Sequence, residues 1–200
     1  EIGNKFPSTA KEIKITLEKY NLELASSWHS TFFLTKNFKE ESENIKNKCS
    51  LLSKAGARVI NIAECSSSIH NKIKTAVSFK PICSEDQYSI LADSLNKAGE
   101  ICQSFGLNLA FHHHIGTYIQ NYNEIEKILS ITDPELVNLC ADTGHLYFAG
   151  VDPIDFFQKH IDRMKHIHFK DIRHDVFNNI NFKEESFLSL VLKGVFTVPG

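Results

Sequence analysis

The sequence predicts an α/β fold built from parallel β/α units, the arrangement of a (β/α)8 TIM barrel. Strand-like and helix-like runs alternate along the chain without long linkers or repeats, and such alternation is typical of parallel sheets with right-handed crossovers. Histidine and aspartate follow several strand-like runs, and barrels of this kind keep their chemistry at the carboxyl ends of their strands. The glycine-rich phosphate turn of an open doubly wound sheet is absent. We therefore expect one barrel domain over residues 1–200.

Most of the predicted helices begin at a residue that can cap a free backbone N–H, or at proline in the first turn. Thr9 and Ser84 are each followed three residues later by Glu12 or Gln87, which is the capping-box pattern. The helix capped by Asn37 is predicted to end at Gly56. Predicted helices start at Thr9, Asn37, Ser84 and Asp152, and another covers residues 123–131.

The predicted strands are runs rich in β-branched and other apolar residues, and they cover residues 22–28, 58–64, 107–111, 136–141 and 164–169. The segment Glu1–Gly3 resembles the end of an earlier strand. An eight-stranded barrel usually needs about 250 residues, so we expect an incomplete barrel here, cut at both ends and lacking its first and last strands. The serine-rich segment 65–83 is expected to be a functional loop.

Composition excludes several classes of function. The formal net charge is −2, with no basic block, which disfavours nucleic acid as a partner. No run approaches the roughly 20 apolar residues of a membrane span, so no membrane partner is expected. The five cysteines form no Cys-x-x-Cys pair, and we expect a reducing, cytoplasmic location. The sequence leaves the oligomeric state open, a homo-oligomer included.

Imidazole and carboxylate groups are concentrated after three of the predicted strands. His112 and His114 share one face of a strand by alternation, and His168 and Lys170 share a face of another. Asp142 ends the strand between them. Such a ligand set suits Mn²⁺, Co²⁺ or Fe²⁺ better than Ca²⁺. The sequence therefore predicts a metal-dependent enzyme.

The histidine segments also resemble a known family. The motifs are His-His-His-Ile-Gly-Thr at 112–117, Ala-Asp-Thr-Gly-His at 141–145 and His-Ile-His-Phe-Lys-Asp at 166–171. Supporting segments are Gly-Asn-Lys-Phe-Pro at 3–7 and Phe-Thr-Val-Pro-Gly at 196–200. Together they are similar to the myo-inosose-2 dehydratases, members of the xylose-isomerase-like barrel superfamily. The similarity covers essentially the whole chain.

The resemblance implies a metal site and its ligands. The superfamily's Asp-Thr-Gly-His and His-x-His motifs point to Asp142 and His168 as ligands of Mn²⁺ or Co²⁺. His112 stands where the superfamily usually has a ligating glutamate, so His112 is expected to replace it. The remaining superfamily ligand, a glutamate on the last strand, would lie beyond Gly200.

The resemblance further implies β-elimination of water from a cyclic polyol ketone, 2-keto-myo-inositol (scyllo-inosose), to a trihydroxycyclohexane-1,2-dione. Because imidazole titrates near neutral pH, His114 and His145 are the candidates for proton transfer. Lys170 is expected to bind the carbonyl or enolate oxygen.

Three residues are candidates for substrate contact. Glu64 ends its strand and could bind hydroxyls or complete the metal shell, Trp28 could form a pocket wall, and Arg173 is the third. A different role is expected for Asp171, which could orient His168 from outside the metal shell.

Three other histidines are not expected to take part in catalysis, and two alternative functions are considered. His113 is expected to be structural on the outer side of its strand, and His160 and His174 to lie on the surface. A sugar isomerase or epimerase of the same superfamily is one alternative, although such enzymes commonly use a glutamate where His112 stands. An inactive sugar-binding fragment is the other.

Overall fold

The computed structural model describes residues 1–200 and is organised around a five-stranded parallel sheet. The sheet order is β1-β2-β3-β4-β5, so each strand pairs with the strand that follows it in the chain. A doubly wound sheet would reverse its strand order at a switch point. Sequential order is that of consecutive β/α units in a barrel wall, as predicted.

The strands of the sheet are β1 (Trp28–Thr31), β2 (Val59–Glu64), β3 (Asn108–His112), β4 (Val137–Asp142) and β5 (Met164–His168). A separate antiparallel pair is formed by β6 (Asp171–Ile172) and β7 (Phe196–Thr197). The helices are α1 (Ala10–Glu18), α2 (Phe38–Ala55), α3 (Glu85–Ser104), α4 (Tyr122–Ser130), α5 (Thr143–Phe148), α6 (Pro153–His160), α7 (His174–Phe177) and α8 (Phe187–Leu192). Short 3-10 turns cover Val77–Phe79 and Ile161–Arg163.

The predicted helix-capping interactions are mostly confirmed. The Asn37 side chain accepts from the Lys39 N–H at 2.8 Å, and Gly56 closes the same helix in the left-handed conformation at φ 95°. Ser84 and Gln87 form both bonds of a capping box. Thr9 accepts from the Glu12 N–H, but its own hydroxyl donates to the Glu12 carboxylate. The second bond of that predicted box is therefore replaced by a side-chain pair.

Two boundaries differ from the prediction. The strand expected over 22–28 lies instead at Trp28–Thr31, because its later residues are polar and therefore do not appear in a pattern of hydrophobic residues. Thr31, for example, is fully buried, and its hydroxyl donates to the Ala63 carbonyl at 3.2 Å. The helix expected from residue 123 begins at Tyr122, since Asn121 and Glu124 form a capping box that the sequence analysis missed. The predicted strand end near Ile2 is present as a parallel bridge to Ser27.

Two apolar clusters position the functional end of the sheet. The larger one contains 31 buried residues, including Ile60, Leu95 and Leu139, and joins the sheet to its helices. A smaller cluster of seven includes Ile115, Phe148 and Val195. This second cluster packs residues 65–83 and 171–197, which we call the cap, against the loop that follows β3 and against α5. Backbone bonds join the two parts of the cap between residues 76–78 and 182–186.

None of the helices is both long enough and apolar enough to cross a lipid bilayer.

Close packing at Gly99 gives a test of the contact between α3 and the segment that leads into β4. A Cβ atom at Gly99 would lie 2.7 Å from the Leu136 carbonyl oxygen and 2.8 Å from its Cβ. Overpacking of this kind costs about 1–3 kcal/mol and outweighs the roughly 1 kcal/mol of helix propensity that alanine restores. We expect Gly99→Ala to lower the free energy of unfolding by about 1–2 kcal/mol in urea titrations.

Gly3→Ala is the matched control, because nothing lies within 4 Å of a Cβ at that position. Equal stability of both variants and the wild type would contradict the packing assigned to Gly99.

Candidate active site

The parallel register brings residues from three strands to one end of the sheet. His112 pairs with Cys140, and Asp142 pairs with His168, so β3, β4 and β5 end at a common level. His112 Nε2 lies 3.1 Å from His168 Nδ1 and 3.4 Å from Asp142 Oδ2. His168 Nδ1 is also 3.4 Å from Asp142 Oδ2. These atoms form a nearly equilateral triangle, the ligand triangle.

The ligand triangle fits a divalent metal ion. Nitrogen and oxygen ligands bind such ions at about 2.0–2.2 Å, which places neighbouring ligand atoms about 3.0–3.5 Å apart around the ion. The observed separations of 3.1–3.4 Å match this spacing. Burial keeps the pKa of His112 well below its usual value, so His112 is a neutral imidazole, the form that binds metals. The three predicted metal ligands are thus brought together.

Asp142 is fully buried and has a cationic neighbour. Its Oδ1 accepts from the His145 N–H at 3.0 Å and caps α5, while its Oδ2 pairs with the Lys170 ammonium. Burial lowers the pKa of Lys170 to about 8. The contact with Asp142 Oδ2 places Lys170 beside the ligand triangle, on the same face as His168, as predicted.

His114 and His145 pack against each other beside the triangle, with ring centroids 4.1 Å apart and ring planes inclined at 45°. Burial lowers the pKa of both well below the usual value, so both rings are neutral. His114 Nδ1 lies 2.8 Å from the Ile115 carbonyl oxygen, which can only accept, so Nδ1 carries the proton and Nε2 is a free base. The Ile115 N–H donates to His145 Nδ1 at 3.4 Å, so the proton of His145 is on Nε2.

Trp28 forms a wall of the site, since its ring meets His112 edge-on at 4.9 Å and His114 at 5.8 Å. His70, which the sequence analysis did not single out, also packs against His114, with ring centroids 5.0 Å apart. A backbone bond from Ile69 to the Gly116 carbonyl, 2.8 Å long, holds this part of the cap in place. Gly116 has φ +81°, and a Cβ there would lie 3.0 Å from the His70 nitrogen. A glycine at 116 thus permits the approach of His70.

Glu64 and Arg173 are not brought to the triangle. The buried Glu64 carboxylate accepts from the Phe33 N–H at 2.9 Å and the Ser66 N–H at 2.8 Å. Glu64 therefore anchors two loops instead of pointing into the site. The Arg173 guanidinium donates to the carbonyls of Gly194 and Phe196 at 2.5 and 2.9 Å, where it joins the two ends of the 171–197 part of the cap. Neither contact can be predicted from the sequence, because every residue type except proline offers the same backbone donor and acceptor.

Three further predictions have mixed outcomes. His113 is buried on the outer side, where its Nε2 accepts from the Asp142 N–H at 3.3 Å, so its structural role is confirmed. Asp171 is exposed and bonds to the Ile172 N–H at 2.7 Å, so the expectation that it orients His168 is wrong. The surface position expected for His160 is also wrong. Its side chain is only 10% exposed, and its Nε2 lies 2.5 Å from a Glu126 oxygen.

Comparison with known proteins identifies the fold family. A family model described as xylose isomerase-like TIM barrel matches residues 3–191. The chain belongs to this family. The solved structures similar to this TIM barrel include a probable 3-DHS dehydratase from Bacillus anthracis, with 17% identity and a TM-score of 0.65 over 82% of this chain and 56% of that one. They also include the IolI protein with a bound zinc atom, with 12% identity and a TM-score of 0.60 over 92% of this chain and 67% of that one.

Curated relatives of this TIM barrel indicate which members of the family are similar to it in sequence. Inosose dehydratases from Bacillus cereus (strain AH820) and Geobacillus thermodenitrificans (strain NG80-2) are 43% and 41% identical over 201 aligned positions. Each alignment covers 100% of this chain and 67% of the relative, so the chain spans about two thirds of their length. The resemblance to inosose dehydratases that the sequence motifs indicate is confirmed.

His29 makes the stability of this TIM barrel depend on pH. The residue lies on β1, its Nε2 is buried without a hydrogen-bond partner, and burial together with the charge of Lys48 lowers the pKa of His29 to about 4. Because the unfolded chain takes up this proton near pH 6.5, the stabilisation from neutral His29 is complete above pH 6.5. It is lost as the pH falls toward 4.

We expect the free energy of unfolding to fall between pH 6.5 and 4, and His29→Gln to make that fall shallower by up to about 1.4 kcal/mol per pH unit. Lys48→Met should have a smaller effect in the same direction, since it removes only the charge. Denaturant titrations at several pH values measure the slopes. A slope unchanged by His29→Gln would contradict the assignment.

Proposed function

We propose that this protein is a metal-dependent dehydratase that removes water from 2-keto-myo-inositol (scyllo-inosose) and yields a trihydroxycyclohexane-1,2-dione. The observation that carries the proposal is the adjacency of the ligand triangle to two neutral histidines of opposite tautomer. His112 of the triangle lies 5.7 Å from His114 and 5.4 Å from His145 between ring centroids. The names of the relatives, inosose dehydratase, support the substrate.

The metal would be held by His112, Asp142 and His168, with Mn²⁺ or Co²⁺ as the proposed ion. When bound, the ion polarises the substrate ketone and stabilises the charge that develops on its oxygen. The mixed imidazole and carboxylate set supports a transition metal over Ca²⁺. The five free cysteines support a reducing cytoplasmic location.

His114 is the proposed proton carrier. Its free Nε2 accepts the proton from the carbon next to the ketone, and its Nδ1 proton stays on the Ile115 carbonyl. The resulting imidazolium then gives that proton to the departing β-hydroxyl, which leaves as water. The enol that remains tautomerises to the dione. One histidine thus returns to its starting state in each turnover, so the proton count balances.

His145 has a different proposed role, because its Nε2–H belongs to a neutral ring. Loss of that proton would leave an imidazolate, which is far too basic to form near neutral pH. The Nε2–H therefore serves as a hydrogen-bond donor to a substrate oxygen. Lys170, a cation paired with Asp142, is proposed to stabilise the enolate oxygen.

The cap excludes water from this chemistry. His114 and His145 both pack on Phe187 of the cap, with ring centroids at 5.4 and 5.6 Å. Phe196, in the same part of the cap, packs against His145 with ring centroids 5.4 Å apart. A site lined by these rings has a low local dielectric, which strengthens the interaction of Lys170 with a developing anion.

The activity is tested by incubating the protein with 2-keto-myo-inositol and recording the ultraviolet absorbance of the conjugated dione. We expect product formation with Mn²⁺ or Co²⁺ and none after chelation with EDTA. The absence of any metal-dependent product, in a sample shown by calorimetry to bind Mn²⁺, would contradict the proposed reaction while leaving the metal site intact.

Variants separate the proton carrier from the metal ligands. His114→Gln should lower kcat by about 10²–10⁴-fold, as expected for loss of a general base, and leave Mn²⁺ affinity unchanged. Asp142→Asn should abolish both, because it removes a ligand charge. His174→Gln, an exposed histidine of the cap, is the matched control and should retain full activity. Wild-type turnover by His114→Gln would show that another group moves the proton.

A further inference from the structure

Glu1 lies against the far side of the His168 ring, away from the ligand triangle. Its Oε1 accepts from the Ser26 hydroxyl at 2.6 Å and also contacts the Asn61 amide. The same oxygen lies 2.8 Å from His168 Nε2 and 2.9 Å from His166 Nε2. Ser26 and Asn61 are both fully buried, so two fixed donors hold the carboxylate in this position.

The two nitrogens of His168 therefore face different partners. Nδ1 lies in the ligand triangle, 3.1 Å from His112 Nε2, and Nε2 faces Glu1 at 2.8 Å. A neutral imidazole has one N–H and one lone pair. In the neutral ring, which is the form that binds a metal, a carboxylate at Nε2 holds the N–H there and leaves the lone pair on Nδ1, on the side of the ligand triangle.

We propose that Glu1 is a positioning residue that fixes the tautomer and the orientation of the metal ligand His168. This inference rests on the proposed metal site. Metal-bound histidines commonly donate their second N–H to a carboxylate, which orients the ring and increases its basicity as a ligand. The sequence pointed to Asp171 for this role, but only Glu1 has a carboxylate within hydrogen-bond distance of His168 Nε2.

A second metal ion bound by Glu1, His166 and His168 is the competing interpretation, because their ligand atoms lie within 4.8 Å of one another. Such an ion would take the Nε2 lone pair of His168. A neutral His168 could then offer no lone pair at Nδ1, so the two ions could be bound together only by an imidazolate. In addition, the Ser26 and Asn61 donors already occupy the Glu1 oxygen. The contacts favour an orienting carboxylate.

The test measures Mn²⁺ affinity and stoichiometry by isothermal titration calorimetry in the wild type, Glu1→Ala and Glu1→Gln. We expect one ion per chain, with an affinity 10–100-fold weaker in Glu1→Ala. The loss should be smaller in Glu1→Gln, since an amide oxygen still accepts the Nε2–H. Asp171→Asn is the matched control and should bind Mn²⁺ like the wild type.

The tautomer is read directly from the side-chain ¹⁵N NMR spectrum of the Zn²⁺-loaded wild type, which needs no variant to fold. We expect His168 to carry its proton on Nε2. A proton on Nδ1, a second bound ion that Glu1→Ala removes, or wild-type affinity in a folded Glu1→Ala would each overturn the inference. A wild type that binds no Mn²⁺ would instead overturn the metal site, and the inference with it.

Discussion

The burial of the Asp142 carboxylate is the constraint on which the site depends. A buried anion is tolerated only when cations and donors surround it, and the structure supplies them from three directions. The His145 N–H donates to one oxygen, and the Lys170 ammonium pairs with the other. The imidazoles of His112 and His168 lie 3.4 Å from that second oxygen as well.

The same constraint links the ligand triangle to His114 and His145. Asp142 caps α5 through the His145 N–H, and α5 therefore starts with the His145 ring beside the triangle. Ile115 then contacts both catalytic candidates, with its carbonyl at His114 and its N–H at His145. Because the carbonyl of Ile115 accepts from one ring and its N–H donates to the other, His114 carries its proton on Nδ1 and His145 carries its proton on Nε2. Burial keeps the pKa of both rings well below the usual value, so the rings are neutral.

The sequence predicted the parts of this arrangement that follow a period or a motif. Alternation along β3 and β5 correctly placed His112, His168 and Lys170 toward one site, and the parallel β/α order predicted that the strand ends would meet. The sequence could not predict which side chains bind backbone atoms. Glu64 looked available at a strand end, yet the N–H groups of Phe33 and Ser66 bind it.

Contacts between residues far apart in the sequence could not be predicted either, because they depend on the tertiary fold. Glu1 and His168 are 167 positions apart, and no local pattern joins them. His70 reaches His114 only because Gly116 permits a close backbone approach. Asp171, which is adjacent to the motif, was the natural but incorrect choice as the partner of His168.

Anomalous X-ray scattering from crystals grown with Mn²⁺ tests the central claim most directly. The structure predicts one strong peak within about 2.0–2.3 Å of His112 Nε2, Asp142 Oδ2 and His168 Nδ1. A peak elsewhere, or a peak that lacks His112 or Asp142 among its ligands, would contradict this account of the site.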